Sequence, residues 1–218
     1  MNLDKRLSAV AALLRDGKRL ADIGTDHAYL PVAQVAAGKC PAAIASDIGQ
    51  GPLEAARHTV TAAGMQDAID LRLGDGLATV APHEAEDIAI AGMGGETIVA
   101  ILQAASWIKD PALRLVLQPM TRAEELRRWL LINGFTIVEE HLVEDGRHLY
   151  PVLAAEYTGQ VCAEELPCYA GFFPAEEGRP YRRLMAEHLR RRAAGLRHGG
   201  QEREAARLTA LAEELDRL

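Results

Sequence analysis

Hydrophobic and polar positions along the chain follow two alternating periods. Five short apolar runs, several of them rich in β-branched residues, are typical of buried strands. They lie at 19–24, 43–47, 69–73, 87–91 and 113–118. Between them, apolar residues recur every three or four positions near 28–38, 52–63, 96–106 and 122–132, which indicates amphipathic helices. Strict alternation of strands and helices predicts a parallel sheet covered by helices on both faces.

The pattern changes after residue 132. Two strand-like runs, 135–143 and 149–157, are separated only by Glu144-Asp-Gly-Arg-His148, which predicts an antiparallel hairpin. A parallel α/β sheet closed by such a hairpin is the Rossmann-like sheet of class I methyltransferases. Because one fold supports many functions, the functional argument depends on the site.

The remainder of the chain is predicted to be helical. A connector punctuated by Gly and Pro is followed by two helical repeats separated by Gly199-Gly200. They predict a helical hairpin that is too short to fold alone. We therefore expect three parts, a Rossmann-like domain over 1–160, a connector over 161–177 and a basic helical hairpin over 178–218.

Charge is distributed unevenly over this plan. The 218 residues include 24 Lys and Arg against 31 Asp and Glu, a net charge of −7, and 49% are hydrophobic, as in a folded soluble protein. Yet residues 178–198 carry seven arginines and one acid, Glu187. A basic segment on an acidic body indicates a polyanion contact, with a solvated helix face as the alternative.

Several classes of protein are disfavoured. Three unpaired cysteines, Cys40, Cys162 and Cys168, argue against a disulfide framework and a zinc site, and the histidines show no ligand spacing. The charged amino terminus has no secretory signal, and no apolar run has the length of a membrane span. We expect a cytosolic protein that requires no metal and has no obligate protein partner.

Acidic residues follow the first three predicted strands. Asp22, Asp47 and Asp75 close the first, second and third strand, and in open α/β sheets the carboxyl ends of the strands bind ligands. A carboxylate after the second strand can accept both ribose hydroxyls, and one after the third can accept the adenine amino group. Their joint placement predicts an adenosine site, although each acid alone also suits a turn or a helix cap.

The turn after the first strand distinguishes two adenosine ligands. A dinucleotide site needs glycines that present N–H groups to a pyrophosphate, but Gly24 is followed by Asp26 and Ala28 at those positions. A carboxylate repels a diphosphate and attracts the ammonium and sulfonium groups of S-adenosylmethionine. We therefore predict S-adenosylmethionine rather than a nicotinamide dinucleotide.

Two further segments lie where a substrate would bind. Glycines in Ala91-Gly-Met-Gly-Gly95 allow close approach of the backbone to a ligand; the Asn-Pro-Pro-aromatic motif common in amino-methylating enzymes is absent from this sequence. After the fifth strand, Gln118 carries an amide suited to a base edge, with a simple Gln-Pro-Met-Thr turn as the alternative.

Two strings are specific, Asp-Ile-Gly-Thr-Asp-His-Ala-Tyr-Leu-Pro over 22–31 and Ala-Gly-Met-Gly-Gly over 91–95. Supporting elements lie in order at 5–7, 51–52, 74–77, 117–119, 127–130 and 144–146. Together they resemble the bacterial tRNA (adenine-22-N1)-methyltransferases, the TrmK family. One departure is Met120, where that family often has Asn.

The resemblance implies an S-adenosylmethionine-binding domain and a carboxy-terminal helical domain that helps to hold tRNA. The catalytic residues implied are Asp26, Tyr29 and Gln118. The cofactor-binding residues implied are Asp22, Gly24, Thr25, His27, Asp47, Ile48, Asp75, Gly76, Gly92 and Met93. The RNA-binding residues expected are Arg127, Arg179, Arg182, Arg183, Arg190, Arg191 and Arg192.

The function expected is methylation of N1 of adenine 22 in tRNA. Two alternatives remain open from the sequence. One is a methyltransferase of a small molecule, which would keep the three acids without needing the basic tail. The other is a non-catalytic RNA-binding protein of the same fold, which would keep the tail without using the pocket.

Overall fold

The computed structural model describes residues 3–146 and 148–218 and contains a seven-stranded sheet. The strands are β1 (Leu20–Ile23), β2 (Ala43–Asp47), β3 (Ile69–Leu73), β4 (Asp87–Gly94), β5 (Arg114–Thr121), β6 (Phe135–Asp145) and β7 (His148–Tyr157). Their order is β3-β2-β1-β4-β5-β7-β6, with β1 to β5 parallel and β7 antiparallel to both neighbours. The predicted class I methyltransferase sheet is confirmed.

Eight α-helices accompany the sheet in the described parts of the chain. They are α1 (Lys5–Leu13), α2 (Tyr29–Ala36), α3 (Gln50–Ala62), α4 (Gly95–Gln103), α5 (Ala123–Ile132), α6 (Leu166–Ala170), α7 (Ala175–His198) and α8 (Glu202–Leu215). Short 3₁₀ helices lie at Gly76–Thr79 and Ser106–Ile108. Among these helices, none is both long and apolar enough to cross a bilayer.

Two apolar clusters cover the two faces of the sheet. Because side chains alternate along a strand, Ile88 and Ile90 of β4 enter the cluster under α4 and α5. Ala89, between them, enters the cluster that contains residues of α1, α2 and α3. The sheet is therefore buried on both faces, as parallel sheets require.

The sequence reading missed α1 and shortened two strands. Asp4 caps α1, since its Oδ1 accepts a 2.7 Å hydrogen bond from the Leu7 amide. β4 and β5 continue through the glycine-rich and Gln-Pro segments, with register shifts at Ala91/Met93 and Met93/Gly94. The segment over 118–121 is thus part of β5 and not a simple turn, because the irregular pairing tolerates Pro119.

Helices α7 and α8 form the predicted hairpin and pack on the body. A third apolar cluster joins Tyr181, Leu189 and Leu208 of the hairpin to Leu131 of α5. α7 begins at Ala175, and α6 lies in the segment that we expected to be an irregular connector. The hairpin and the sheet domain therefore share buried surface.

Candidate active site

The loop between β1 and α2 has an unusual backbone. Gly24, Asp26 and Ala28 have φ values of +78°, +45° and +54°. Glycine adopts this left-handed region freely and aspartate tolerates it, but alanine does so at an energetic cost. Such strain persists only where the surrounding structure enforces it, and it concentrates at functional sites.

Asp22 lies beneath this loop and is buried. The Thr25 hydroxyl donates a 2.6 Å hydrogen bond to Asp22 Oδ2. Burial raises the pKa of Asp22 to about 6; the Thr25 bond opposes that rise, and the charge of Asp47 adds to it. A cationic ligand beside this carboxyl would favour its ionised form.

A cavity of about 640 Å³ opens at the carboxyl ends of β1 to β4. The structure brings six of the predicted cofactor residues together in its lining: Gly24, Asp47, Ile48, Asp75, Gly76 and Met93. Its apolar wall includes residues that the sequence analysis did not select: Leu77, Val80, Ala100, Ile101, Ala104 and Trp107. They lie in or next to α4 and the two 3₁₀ helices and have the apolar character of ordinary core residues, so only the folded chain shows that they line a cavity.

The hydrogen-bond acceptors and the apolar wall of the cavity suit an adenosine group. Asp47 Oδ1 accepts a 2.7 Å bond from the Gly49 amide, which orients that carboxylate. Ser46 also belongs to the lining, and its buried Oγ has no hydrogen-bond partner in the described structure. Ile48 is 71% exposed at the mouth, where a bound ring would cover it.

Gly24 and Met93 form the floor between β1 and β4. A Cβ atom on Gly24 would stand 2.1 Å from Met93 Cε. The positive φ favours glycine at position 24, and any larger residue there would also displace the flexible end of Met93. Close approach of a ligand to the β1 loop follows from the same absence of a side chain.

Other predicted residues lie near the cavity without lining it. The Thr25 hydroxyl is occupied by its hydrogen bond to Asp22. The Asp26 side chain is 71% exposed on the strained loop, and its Oδ2 lies 3.7 Å from His27 Nε2. The His27 and Tyr29 rings stack with their centroids 5.0 Å apart. Gly92, at φ +79°, lies in the glycine-rich end of β4. This loop carries polar and aromatic groups beside the cavity mouth.

Gln118 has a different place from the one expected. It is buried, its Oε1 accepts a 3.1 Å bond from the Gly92 amide, and its Nε2 donates a 3.0 Å bond to the Pro119 carbonyl. Both ends of the amide are therefore occupied by backbone. The expectation that this amide faces a base is wrong for this structure; Gln118 instead fixes the glycine-rich end of β4.

Two of the predicted RNA-binding arginines are also corrected. Arg127 is completely buried: its Nε and Nη2 donate to Glu140 Oε1 at 2.9 and 2.8 Å, and its Nη1 donates to the Tyr181 hydroxyl at 3.0 Å. Burial opposes that charge, but Glu140 and Tyr181 raise the pKa of Arg127 above its ordinary value. Arg182 is buried as well and donates to the carbonyls of Phe173 and Ala175. Neither guanidinium can reach a phosphate.

The remaining predicted arginines are exposed on α7, namely Arg179, Arg183, Arg190, Arg191 and Arg192. Three of them form ion pairs: Arg179 with Glu176, Arg190 with Asp216, and Arg191 with Glu187. Exposed pairs of this kind contribute little to stability and can exchange partners. These five side chains stay available to a polyanion.

Comparison with known proteins adds independent support. Residues 3–153 match a family described as a methyltransferase domain. The tRNA (adenine(22)-N(1))-methyltransferase of Bacillus subtilis is 40% identical over 156 residues, which span 72% of this chain and 66% of that protein.

Solved structures extend the match to the whole chain. The crystal structure of the B. subtilis m1A22 tRNA methyltransferase TrmK has a TM-score of 0.86, 32% identity and 99% coverage of both chains. Streptococcus pneumoniae Sp1610, solved in complex with S-adenosyl-L-methionine, has a TM-score of 0.83 and 32% identity, with 99% of this chain and 100% of that one covered. With its sheet, cavity and C-terminal hairpin, this chain belongs to the TrmK family of methyltransferases.

Proposed function

We propose that this protein transfers a methyl group from S-adenosylmethionine to N1 of adenine 22 in tRNA. The single observation that carries the proposal is the cavity at the carboxyl ends of β1 to β4, where Asp47, Asp75 and the β1 loop converge in a chain of the TrmK family. The names and titles of the two relatives supply the substrate and the donor.

The lining residues divide the cofactor between them. Asp47, already oriented by Gly49, would accept the ribose hydroxyls, and Asp75 would accept the adenine amino group beside the apolar wall. Asp22 and the β1 loop would face the methionine part, whose ammonium and sulfonium groups are attracted to carboxylates. When bound, S-adenosylmethionine supplies an electrophilic methyl group on its sulfonium.

The methyl transfer does not require the protein to remove a proton from the nucleophile. The adenine N1 lone pair is free at neutral pH, so no general base is needed to create the nucleophile. The chain contributes alignment and a site that excludes water. Positive charge develops on the ring, and the Asp26 carboxylate can stabilise it while accepting a hydrogen bond from the exocyclic amine.

The substrate must also be made accessible. N1 is normally involved in pairing or covered by stacking, so the nucleotide has to leave its stack before it reacts. We assign methyl transfer to the sheet domain over 1–160 and RNA binding to the hairpin over 178–218. The segment 161–177 connects these two parts. The reaction takes place in the cytoplasm, where tRNA is modified.

Three arms of one experiment separate this proposal from its rivals. Purified protein is incubated with labelled S-adenosylmethionine and a tRNA transcript that has adenine at position 22, a matched transcript with guanine there, or free adenosine. We expect transfer to the first transcript only. Transfer to free adenosine alone would favour a small-molecule methyltransferase, and no calorimetric binding of S-adenosylmethionine would favour a non-catalytic protein.

A further inference from the structure

A second large cavity, about 730 Å³ in volume, separates α7 from the sheet domain. We call it the α7 groove. One wall carries Met120 and Arg122 at the β5–α5 junction, and the other carries His188, Arg191 and Arg192 of α7. The positions 184, 188 and 191 of α7 lie on one helical face, so a continuous side of the helix borders the groove.

One end of the groove is built on residues that contact the glycine-rich segment 91–95. Arg122 has a left-handed backbone with φ +55°, and its carbonyl packs so closely on Gly95 that a Cβ there would stand 2.2 Å away. Met120 Sδ lies 3.6 Å from Gln118 Nε2, and Gln118 in turn holds the Gly92 amide. Met120 and Gln118 therefore link one end of the groove to the glycine-rich end of β4, where Met93 lines the cofactor cavity.

The lining of the α7 groove is positively charged, and ion pairs neutralise only part of that charge. Among the described residues Arg122 and Arg192 form no ion pair, and Arg191 forms one exposed pair with Glu187. The one acid in the lining is Glu124, which is buried. By contrast, Arg179 and Arg183 border a separate cleft beside residues 215–218, away from this groove.

Buried contacts fix the position of α7 relative to the sheet domain. The fully buried Arg127 joins α5 to Glu140 of β6 and to Tyr181 of α7. Because Arg127 lies on the same helix that Arg122 precedes, one buried network fixes the spacing of the two walls. A groove whose two walls are held at a fixed spacing is suited to a ligand that is longer than a single base.

We propose that the α7 groove binds backbone phosphates of the RNA strand that adjoins the target nucleotide, through Arg122, Arg191 and Arg192. This inference rests on the proposed function and adds which arginines bind RNA and along which path. Phosphates spaced along a polynucleotide complement a cationic groove whose one end contacts the glycine-rich segment beside the cofactor cavity. Within the hairpin, this proposal assigns the phosphate contacts nearest the active site to the inner face of α7, and it adds the β5–α5 junction as a second contact.

The test measures how binding of the adenine-22 transcript to the full chain depends on salt. Arg122→Gln/Arg192→Gln removes two groove charges. The matched control, Arg57→Gln/Arg203→Gln, removes two exposed arginines of α3 and α8 that lie outside the groove and form no ion pair in the described structure. Each lost phosphate contact lowers the log–log salt slope by roughly 0.7–0.9, so the groove variant loses roughly 1.4–1.8.

We expect the groove variant to bind the transcript roughly tenfold or more weakly, with unchanged affinity for S-adenosylmethionine, and the control to behave as wild type. Because Arg122 has a strained backbone, Arg191→Gln/Arg192→Gln on α7 provides a second variant with the same expected direction. An unchanged slope in both groove variants, or an equal loss in the control, would overturn the proposal. If the wild-type protein methylates the transcript and the groove variants do so equally well, the groove assignment alone fails; if the wild type neither binds nor methylates it, the proposed function fails too.

Discussion

The buried Arg127–Glu140 pair gives a strong prediction about stability. Arg127 is completely buried and Glu140 is 2% exposed. The guanidinium makes four hydrogen bonds: two to Glu140, one to the Tyr181 hydroxyl and one to the Cys168 carbonyl. In Arg127→Ala the Glu140 carboxylate would stay buried, with only the 2.7 Å bond from the Phe172 amide as a remaining partner.

The magnitude follows from that uncompensated charge. Breaking a buried ion pair by removing one partner costs about 3–5 kcal/mol. For a chain of this size, that loss lowers Tm by roughly 6–20 °C. Arg128→Ala is the matched control, because the next arginine on α5 pairs with Glu165 at the surface. Exposed pairs contribute about 0–1 kcal/mol.

Urea denaturation of the wild type and both variants tests the prediction. The double variant Arg127→Met/Glu140→Leu should regain much of the stability, because it leaves no charge buried. If Arg127→Ala lost no more stability than Arg128→Ala, the network would not hold the hairpin on the body and the reasoning would be refuted. A folded Arg127→Lys variant should raise KM for tRNA and leave the affinity for S-adenosylmethionine unchanged, since α7 is positioned through this network.

Three acidic residues at the cofactor site, Asp47, Asp22 and Asp26, give the further predictions. Asp47→Ala should weaken S-adenosylmethionine binding by roughly 2–4 kcal/mol through loss of two charge-assisted bonds, and an unchanged calorimetric affinity in a folded variant would remove Asp47 from the ribose site. Because the Asp22 pKa is raised to about 6, affinity for the cationic cofactor should fall by up to roughly tenfold per pH unit below that value, and Asp22→Asn should abolish this dependence. In the ligand-free protein the sign is opposite: ionising Asp22 opposes folding, so its contribution to stability is lost as pH rises through 6, which denaturation at several pH values checks. Asp26→Asn should keep cofactor binding but slow single-turnover methylation by roughly 10²-fold, and an unaltered rate would exclude Asp26 from charge stabilisation.

The hydrophobic periods of the sequence predicted the elements whose formation depends on residues close together in the chain. Alternating periods located every strand of the sheet, and the spacing of Asp47 and Asp75 anticipated the cavity that they line. The helix α1 could have been found from the Asp4 cap, which was overlooked. Two carboxylates in the lining of the cavity could therefore be predicted from the ends of the strands, but its apolar wall could not.

Long-range contacts explain what the sequence did not reveal. Arg127 and Arg182 look like their exposed neighbours in the sequence, and only the positions of Glu140, 13 residues away, and of the Phe173 carbonyl show that they are buried. The apolar pattern ended the fourth and fifth strands at residues 91 and 118, and a turn over 118–121 was one alternative. Bulged pairing between β4 and β5 instead kept the segments that follow these residues in the sheet.

The central claim is tested most directly by locating the methyl group. An unmodified tRNA transcript with adenine 22 is incubated with the protein and labelled S-adenosylmethionine, digested with nuclease and mapped by mass spectrometry. The structure and the family predict one product, 1-methyladenosine at position 22, and no product when that base is replaced. Methyl on N6, on a ribose hydroxyl or at another position would contradict the account even if the cofactor binds as described.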